Sequence, residues 1–337
     1  MTTPASPRIL IVRRDNIGDL VCTTPLIRAL RERYPSGWLG ALVNSYNAPV
    51  LDGNPDLDEV FVYTKAKHRA PGESLPGIYW RRLRMMLRLR AMKLDEVILA
   101  APTPQPRGLA LARWLAPKRI VGFGAVPGLD AALSLAVEPI TEVEDVFRMA
   151  RLHGIDGPPP ACRVVPPAGI GRPAGLTVAI HISARKPSQR WPVERFAELM
   201  ATLRTDHGAR FTLLWSPGAA DNPQHPGDDD KAAALLKILG EGFPVDAVPT
   251  ATLPELIAAL ARCHAMICAD GGAMHLAAGL GLPIVCLFGD SGAERWRPWG
   301  GPYRLLQKPS RQVADIGADE VVAAFNALRA GIPVPAP

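Results

Sequence analysis

Two short stretches of this chain carry residue types whose spacing suits chemistry on a phosphorylated or hydroxylated ligand. The first is Asp270-Gly271-Gly272-Ala273-Met274-His275, which follows the apolar run 265–269. An apolar strand that ends at an acid and turns through two glycines into a small-residue helix is an anion-binding device. Free backbone N–H groups and the positive end of the helix dipole point at whatever fills the turn. Gly271 and Gly272 let the backbone approach phosphates without interference from a Cβ, and Asp270 can accept hydrogen bonds from sugar hydroxyls. Singly, these residues read as a turn, a helix cap and an interior histidine; after a buried strand they point together to a diphosphate. The second stretch, RRDNIGD, places Asp15 and Asp19 around Gly18 just after the first apolar run. It lacks the GxGxxG that a nicotinamide cofactor needs at such a turn, which disfavours a dehydrogenase.

Both stretches need strands that deliver them. Residues 8–14 read as a short buried strand, and 18–34 show helical spacing through Leu20, Thr24, Ile27 and Leu30 until Pro35 stops it. Strands are expected at 38–43, 59–63, 95–100 and 119–123, with helices at 78–93, 107–115 and 143–153. Proline and glycine then crowd residues 157–173, marking a linker between a first domain, 1–156, and a second, 174–337. The alternation restarts with strands at 177–183, 210–215, 245–248, 265–269 and 283–288, and helices at 193–207, 228–239, 253–262 and 273–280. A last helix, 318–330, has the option of packing back on the first domain before a proline-rich tail. This pattern predicts an α/β chain of two Rossmann-like, doubly wound parallel-sheet domains, with ligands beyond the carboxyl ends of the strands in a central cleft.

Composition narrows the partners. A chain of 337 residues with 48% hydrophobic content has room for about two domains. Its longest apolar runs, 97–101 and 283–288, fall far short of the ~20 residues of a membrane span. Residues 1–7 are polar and show no export signal, so a cytoplasmic location is expected. The five cysteines, odd in number and mostly in apolar settings, suit buried thiols in a reducing compartment. No His, Cys, Asp or Glu cluster has metal-ligand spacing, and Asp228-Asp229-Asp230 reads as the polar start of a helix. Neither a metal nor a cofactor is expected.

The net charge of +6 is concentrated in residues 1–150, with 20 Lys and Arg against 15 Asp and Glu. Arg81, Arg82, Arg84 and Arg88 lie in one expected helix with Arg90 and Lys93, interleaved with Leu83, Met85, Met86, Leu87, Leu89 and Met92. Such a helix can rest on the anionic surface of an inner membrane or bind a phosphorylated, carboxylated glycolipid acceptor. It can also be an ordinary amphipathic helix with its arginines outside. Nucleic acid is disfavoured, since no stacking-aromatic motif or DNA-reading module accompanies the patch.

The motif at 270–275, read with the opening ILIVRRDNIGDLVCTTPLIRALRERYP, resembles glycosyltransferase family 9, the bacterial heptosyltransferases of lipopolysaccharide core synthesis. The likeness spans nearly the whole chain and implies the GT-B architecture. It also implies an inverting, metal-independent transfer of heptose from a nucleotide-sugar donor, ADP-heptose, to lipopolysaccharide inner core. Asp19, the aspartate after the glycine, takes the family's general-base position. A carboxylate within reach of an acceptor hydroxyl suits that role, although Asp19 also fits a helix start and Asp15 is a rival. Asp270 matches the family aspartate that contacts the donor sugar, and Gly271 and Gly272 match the phosphate-contacting residues, with glycine standing where the family has a hydroxyl.

In HISARKPSQRWP, Ser183, Trp191 and Pro192 match the family, but Gln189 holds the place of its lysine. A departing diphosphate accumulates negative charge and needs a cation or helix terminus. Arg185 and Lys186, and less directly Arg190, are the available substitutes, unless this is simply a solvated basic loop. The segments Trp215–Gly218 and Pro249–Thr252 match those that border the nucleotide base. A family relative with another donor or acceptor, or a nucleotide-binding protein without the chemistry, are the competing readings.

Overall fold

The structure, a computed structural model, describes residues 6–64, 74–136, 138–221 and 227–334. Residues 1–5 of the polar N-terminal segment and the last three of the proline-rich tail lie outside the described residues. The chain divides into two compact units, Met1–Val165 and Pro166–Pro337, at a point within the proline- and glycine-rich stretch 157–173.

The first unit alternates β1 (Arg8–Val12), α1 (Ile17–Val21), α2 (Thr24–Arg33), β2 (Trp38–Asn44), β3 (Glu59–Tyr63), α3 (Leu75–Ala91), β4 (Glu96–Leu99), α4 (Pro106–Leu115), β5 (Arg119–Phe123), β6 (Ala131–Leu133) and α5 (Glu142–Phe147). The second continues with β7 (Thr177–His181), α6 (Val193–His207), β8 (Arg210–Trp215), α7 (Asp229–Leu239), β9 (Val245–Pro249), α8 (Leu253–Ala261), β10 (Ala265–Ala269), α9 (Gly272–Gly279), β11 (Ile284–Phe288), α10 (Ala293–Trp296), β12 (Tyr303–Gln307) and α11 (Ala318–Arg329). Each unit holds a six-stranded sheet, ordered β3-β2-β1-β4-β5-β6 in the first and β12-β11-β10-β7-β8-β9 in the second. Numbered within its own unit, each sheet runs 3-2-1-4-5-6, the doubly wound order, and all strand pairs are parallel. The winding reverses between β1 and β4, and between β7 and β10.

Strands buried on both faces read as unbroken apolar runs, which is why β1, β4, β10 and β11 stand out in the sequence. Leu10, Val12, Leu42, Val97 and Leu99 pack with Leu109 and Leu115 of α4. In the second unit Val178, Ile180, Phe211 and Leu213 pack with Phe196, Leu199 and Leu203 of α6 and Leu235 of α7.

The structure departs from the expected elements where local chemistry overrides periodicity. The single helix expected over 18–34 is broken into α1 and α2, because Pro25 has no N–H to give the Val21 carbonyl. The Thr24 hydroxyl donates to that carbonyl instead, at 2.7 Å. The helix expected over 143–153 is α5 followed by a tighter 3-10 segment, Arg148–His153. The edge strands β6 and β12 and the short α10 were not expected; edge strands are partly exposed and carry weaker apolar signals. The last helix, α11, sets Val321, Ala324, Phe325 and Leu328 into the second unit's core.

Phe325 is fully buried. The Phe325→Ala variant is therefore expected to lose about 3–5 kcal/mol of stability. Urea unfolding monitored on the second unit's tryptophans checks this, and a loss below about 1 kcal/mol would mean α11 is not part of that core.

Candidate active site

In the second unit β7 and β10 lie side by side with His181 opposite Cys268, so the loop after β7 and the bend after β10 leave the same end of the sheet at its switch point. Three loops are stitched together there. The Gln189 amide donates to Asp270 Oδ2 at 3.0 Å and to Ser291 Oγ at 3.2 Å. Lys186 Nζ lies 3.1 Å from Asp290 Oδ1. A Cβ on Gly289 would come within 2.4 Å of the Ser188 carbonyl oxygen, so glycine permits the close crossing of the loops after β7 and β11. Trp191 anchors the first of these loops: its indole N–H donates to the Ile316 carbonyl at 2.9 Å, and its ring meets Phe196 edge-on at 4.7 Å.

The bend itself is open. Gly271 is exposed, and a Cβ there would meet nothing within 4 Å. Packing does not impose glycine, so a hydroxyl residue would fit. Gly272 begins α9, whose free N–H groups face the bend. His275 is buried, its ring edge-on to Trp296 at 6.1 Å. Ser183 Oγ accepts from the Ser216 N–H at 2.9 Å, which leaves its own proton to donate. Arg185 and Arg190 are exposed.

The segments 215–218 and 249–252 are also tied together, with the Thr250 N–H donating to the Trp215 carbonyl at 2.9 Å. Trp215 is buried, and its indole N–H donates to Asp229 Oδ1 at 2.7 Å, so it forms a wall. Asp229 opens α7, as the polar-start reading of the acidic run expects. Its carboxyl is held below the usual range by the Trp215 hydrogen bond and then by the Gly218 N–H.

In the first unit Asp19 lies in the first turn of α1, beyond the carboxyl end of β1. Both of its oxygens are engaged: Oδ1 accepts from Arg13 Nη2 at 2.9 Å and Oδ2 from the Asn16 N–H at 2.8 Å. Arg13 is a residue the sequence reading left without a role. Only 2% exposed, it also donates to Glu142 Oε1 at 2.6 Å and to the Ala100 carbonyl, and its Nε lies 3.2 Å from Asp15 Oδ2. Burial alone would lower its pKa, but Glu142, Asp19 and Asp15 raise it above the ordinary value. The one available signal was an arginine ending an otherwise apolar strand. Asp19 thus serves as a helix-start residue and as a fixed anion with lone pairs to spare. Asp15, with its side chain 35% exposed, is the more open carboxylate.

The arginine helix, α3, buries only Ile78 and Leu89 fully. Tyr79, Trp80, Leu83 and Leu87 are between 43% and 61% exposed, among exposed Arg81, Arg82 and Arg84. Arg88 is committed elsewhere, to Glu59 at 2.7 Å and over the Phe61 ring. A cavity of about 630 Å³ opens beside α3, lined among others by Arg14, Tyr79, Arg82, Met86, Arg107 and Trp114. All five cysteines are buried free thiols, and burial pushes Cys162 up to about 12. Among the described residues no His, Cys, Asp and Glu side chains converge as a metal-ligand set, and no helix is long and apolar enough to cross a membrane.

Arg13→Ala would leave Asp19 and Glu142 buried without their shared cation. An expected loss of about 3–5 kcal/mol in urea unfolding follows; stability within about 1 kcal/mol of wild type would show that the cluster is solvated.

Residues 166–318 match the family model of glycosyltransferase family 9 (heptosyltransferase). Relatives match over a longer span. Lipopolysaccharide heptosyltransferase 3 of Escherichia coli is 25% identical, covering 92% of this chain and 96% of the relative. Lipopolysaccharide heptosyltransferase 2 of E. coli K12 is 23% identical, covering 89% and 88%. Among solved structures, a family 9 glycosyltransferase from Veillonella parvula superposes with a TM-score of 0.80 at 19% identity, covering 96% of this chain and 97% of the other. The E. coli heptosyltransferase WaaC with ADP does so with a TM-score of 0.77 at 20% identity, covering 95% and 99%. The structural likenesses establish the GT-B fold of two Rossmann-like domains, and the match to glycosyltransferase family 9 falls within the second unit, with the heptosyltransferase relatives extending the similarity over both units.

Proposed function

We propose that the protein transfers a heptose from ADP-heptose to an anionic glycolipid, the inner core of lipopolysaccharide, with inversion and without a metal ion. The observation that carries this reading is the convergence of Ser183, Gln189, Asp270 and the free amides at Gly271 and Gly272 on the switch point of one sheet. Support comes from the E. coli relatives named as lipopolysaccharide heptosyltransferases, and from a WaaC structure described with ADP-2-deoxy-2-fluoro heptose.

In the proposed step Asp19 takes the proton of an acceptor hydroxyl as its oxygen attacks the anomeric carbon from the face opposite the diphosphate. The new C–O bond forms as the bond to the diphosphate oxygen breaks, and ADP leaves carrying that electron pair. Amides of the glycine bend and the end of the α9 dipole stabilise the developing charge. Arg13 holds Asp19 as an oriented carboxylate; it is a positioning residue. Asp270 orients sugar hydroxyls. Arg81, Arg82 and Arg84, with the cavity beside α3, offer cations and apolar surface to a phosphorylated acceptor at the cytoplasmic face of the inner membrane.

Gln189 in place of the family lysine favours a second reading, a nucleotide-binding protein that has lost the chemistry. Asp19→Asn decides between them. Under the proposed function this variant loses about 10²–10⁴-fold in kcat with unchanged affinity for ADP. If wild type shows no transfer with ADP-heptose and lipid acceptor, or the variant transfers as well as wild type, the mechanism is wrong. Thermal-shift measurements with ADP, UDP and GDP test the donor: ADP at about 100 times its Kd is expected to stabilise by about 2.7 kcal/mol. A stronger effect of UDP or GDP would overturn the ADP assignment. Gly271→Ser, which the open bend accommodates, is expected to tighten ADP binding by supplying one hydroxyl donor; weakened binding would mean the phosphates do not sit there.

A further inference from the structure

The loop after β7 lacks the lysine at position 189, and its own cations are paired or face solvent. Lys186 is tied to Asp290, and Arg185 and Arg190 are exposed. A different lysine reaches the same strand end from α7. Lys231 Nζ donates to the Ile182 carbonyl at 2.9 Å, next to Ser183, and lies 5.1 Å from the centre of the Phe196 ring.

Resting on the donor reading above, we infer that Lys231 supplies the cation for the donor's diphosphate in this chain, replacing from α7 the charge that Gln189 does not carry. Lys231 is half-buried and makes no ion pair with a carboxylate among the described residues. One of its three N–H groups caps Ile182, so two remain for an anion. A partly desolvated ammonium is costly unless it meets a negative charge. Burial, with Asp228 opposing it and Arg190 adding to it, holds its pKa down at about 8, the state of a cation awaiting a counter-ion. The other fixtures of this strand end are complementary: Ser183 keeps a hydroxyl proton to donate, and the Gln189 amide is spent on Asp270 and Ser291. Gln189 thus positions the sugar-binding carboxylate while the positive charge arrives from another helix.

The test is calorimetric titration of ADP into the full chain as wild type, Lys231→Gln and the double variant Lys231→Gln/Gln189→Lys. Glutamine at 231 keeps an N–H for the Ile182 carbonyl and removes only the charge, so the melting temperature should stay close to wild type. The expected result is ADP binding weakened by about 10–100-fold in Lys231→Gln, the range for one charge-assisted hydrogen bond. Recovery of most of that loss is expected in the double variant. A purely structural cap would not be rescued by a lysine at 189. Unchanged ADP affinity in Lys231→Gln, or a double variant as weak as the single, would overturn the inference alone. Wild type binding none of ADP, UDP and GDP would overturn the donor reading and this inference with it.

Discussion

Each sheet reverses its winding between its first and fourth strands, and the chemistry of the chain depends on that reversal. At the reversal the connections leave adjacent strands in opposite directions, so no crossover helix covers the strand ends there. Backbone amides and short polar side chains remain exposed at a fixed spacing set by parallel pairing, such as that of β7 with β10. Asp19 follows β1 and Asp270 follows β10; each is placed by strand geometry before any side-chain contact acts on it.

Side-chain contacts then decide what charge each place holds. In the first unit one buried guanidinium serves Asp19 and Glu142, with Asp15 close by. Removing Arg13 from water is costly, and the carboxylates compensate only because they are held at hydrogen-bond distance. The same contacts fix the orientation of Asp19, so charge compensation and positioning of this carboxylate come from one arrangement. In the second unit the opposite economy holds. The bend after β10 presents amides and a helix terminus, the Gln189 side chain is neutral, and among the described residues nearby Lys231 makes no ion pair with a carboxylate, although Asp228 acts on it electrostatically.

Much of this was legible in the sequence. The core strands are buried on both faces and read as unbroken apolar runs, and proline, glycine and threonine punctuate their helices. The glycine bend at 270–272 was legible because the device is local: strand, turn and helix are contiguous. Arg13 and Glu142 were not, since their partnership spans 129 positions and exists only once β1 and α5 are packed. Lys231 was hidden for the same reason, lying in an acidic helix start whose neighbours gave no hint that one lysine turns back to β7. Periodicity also could not show where Pro25 divides a helix, because the apolar spacing continues across the break. The arginine helix shows the converse limit. Its mixture of basic and apolar residues allowed two readings, and the pattern did not reveal that Tyr79, Trp80, Leu83 and Leu87 stand exposed along it.

The most direct measurement is a crystal structure of this chain with ADP. Diphosphate oxygens at about 3 Å from the amides of Gly271 and Gly272 are the expected result. A nucleotide seated away from the carboxyl ends of β7 and β10, with the bend vacant, would contradict the assignment of that bend as the donor's anchor.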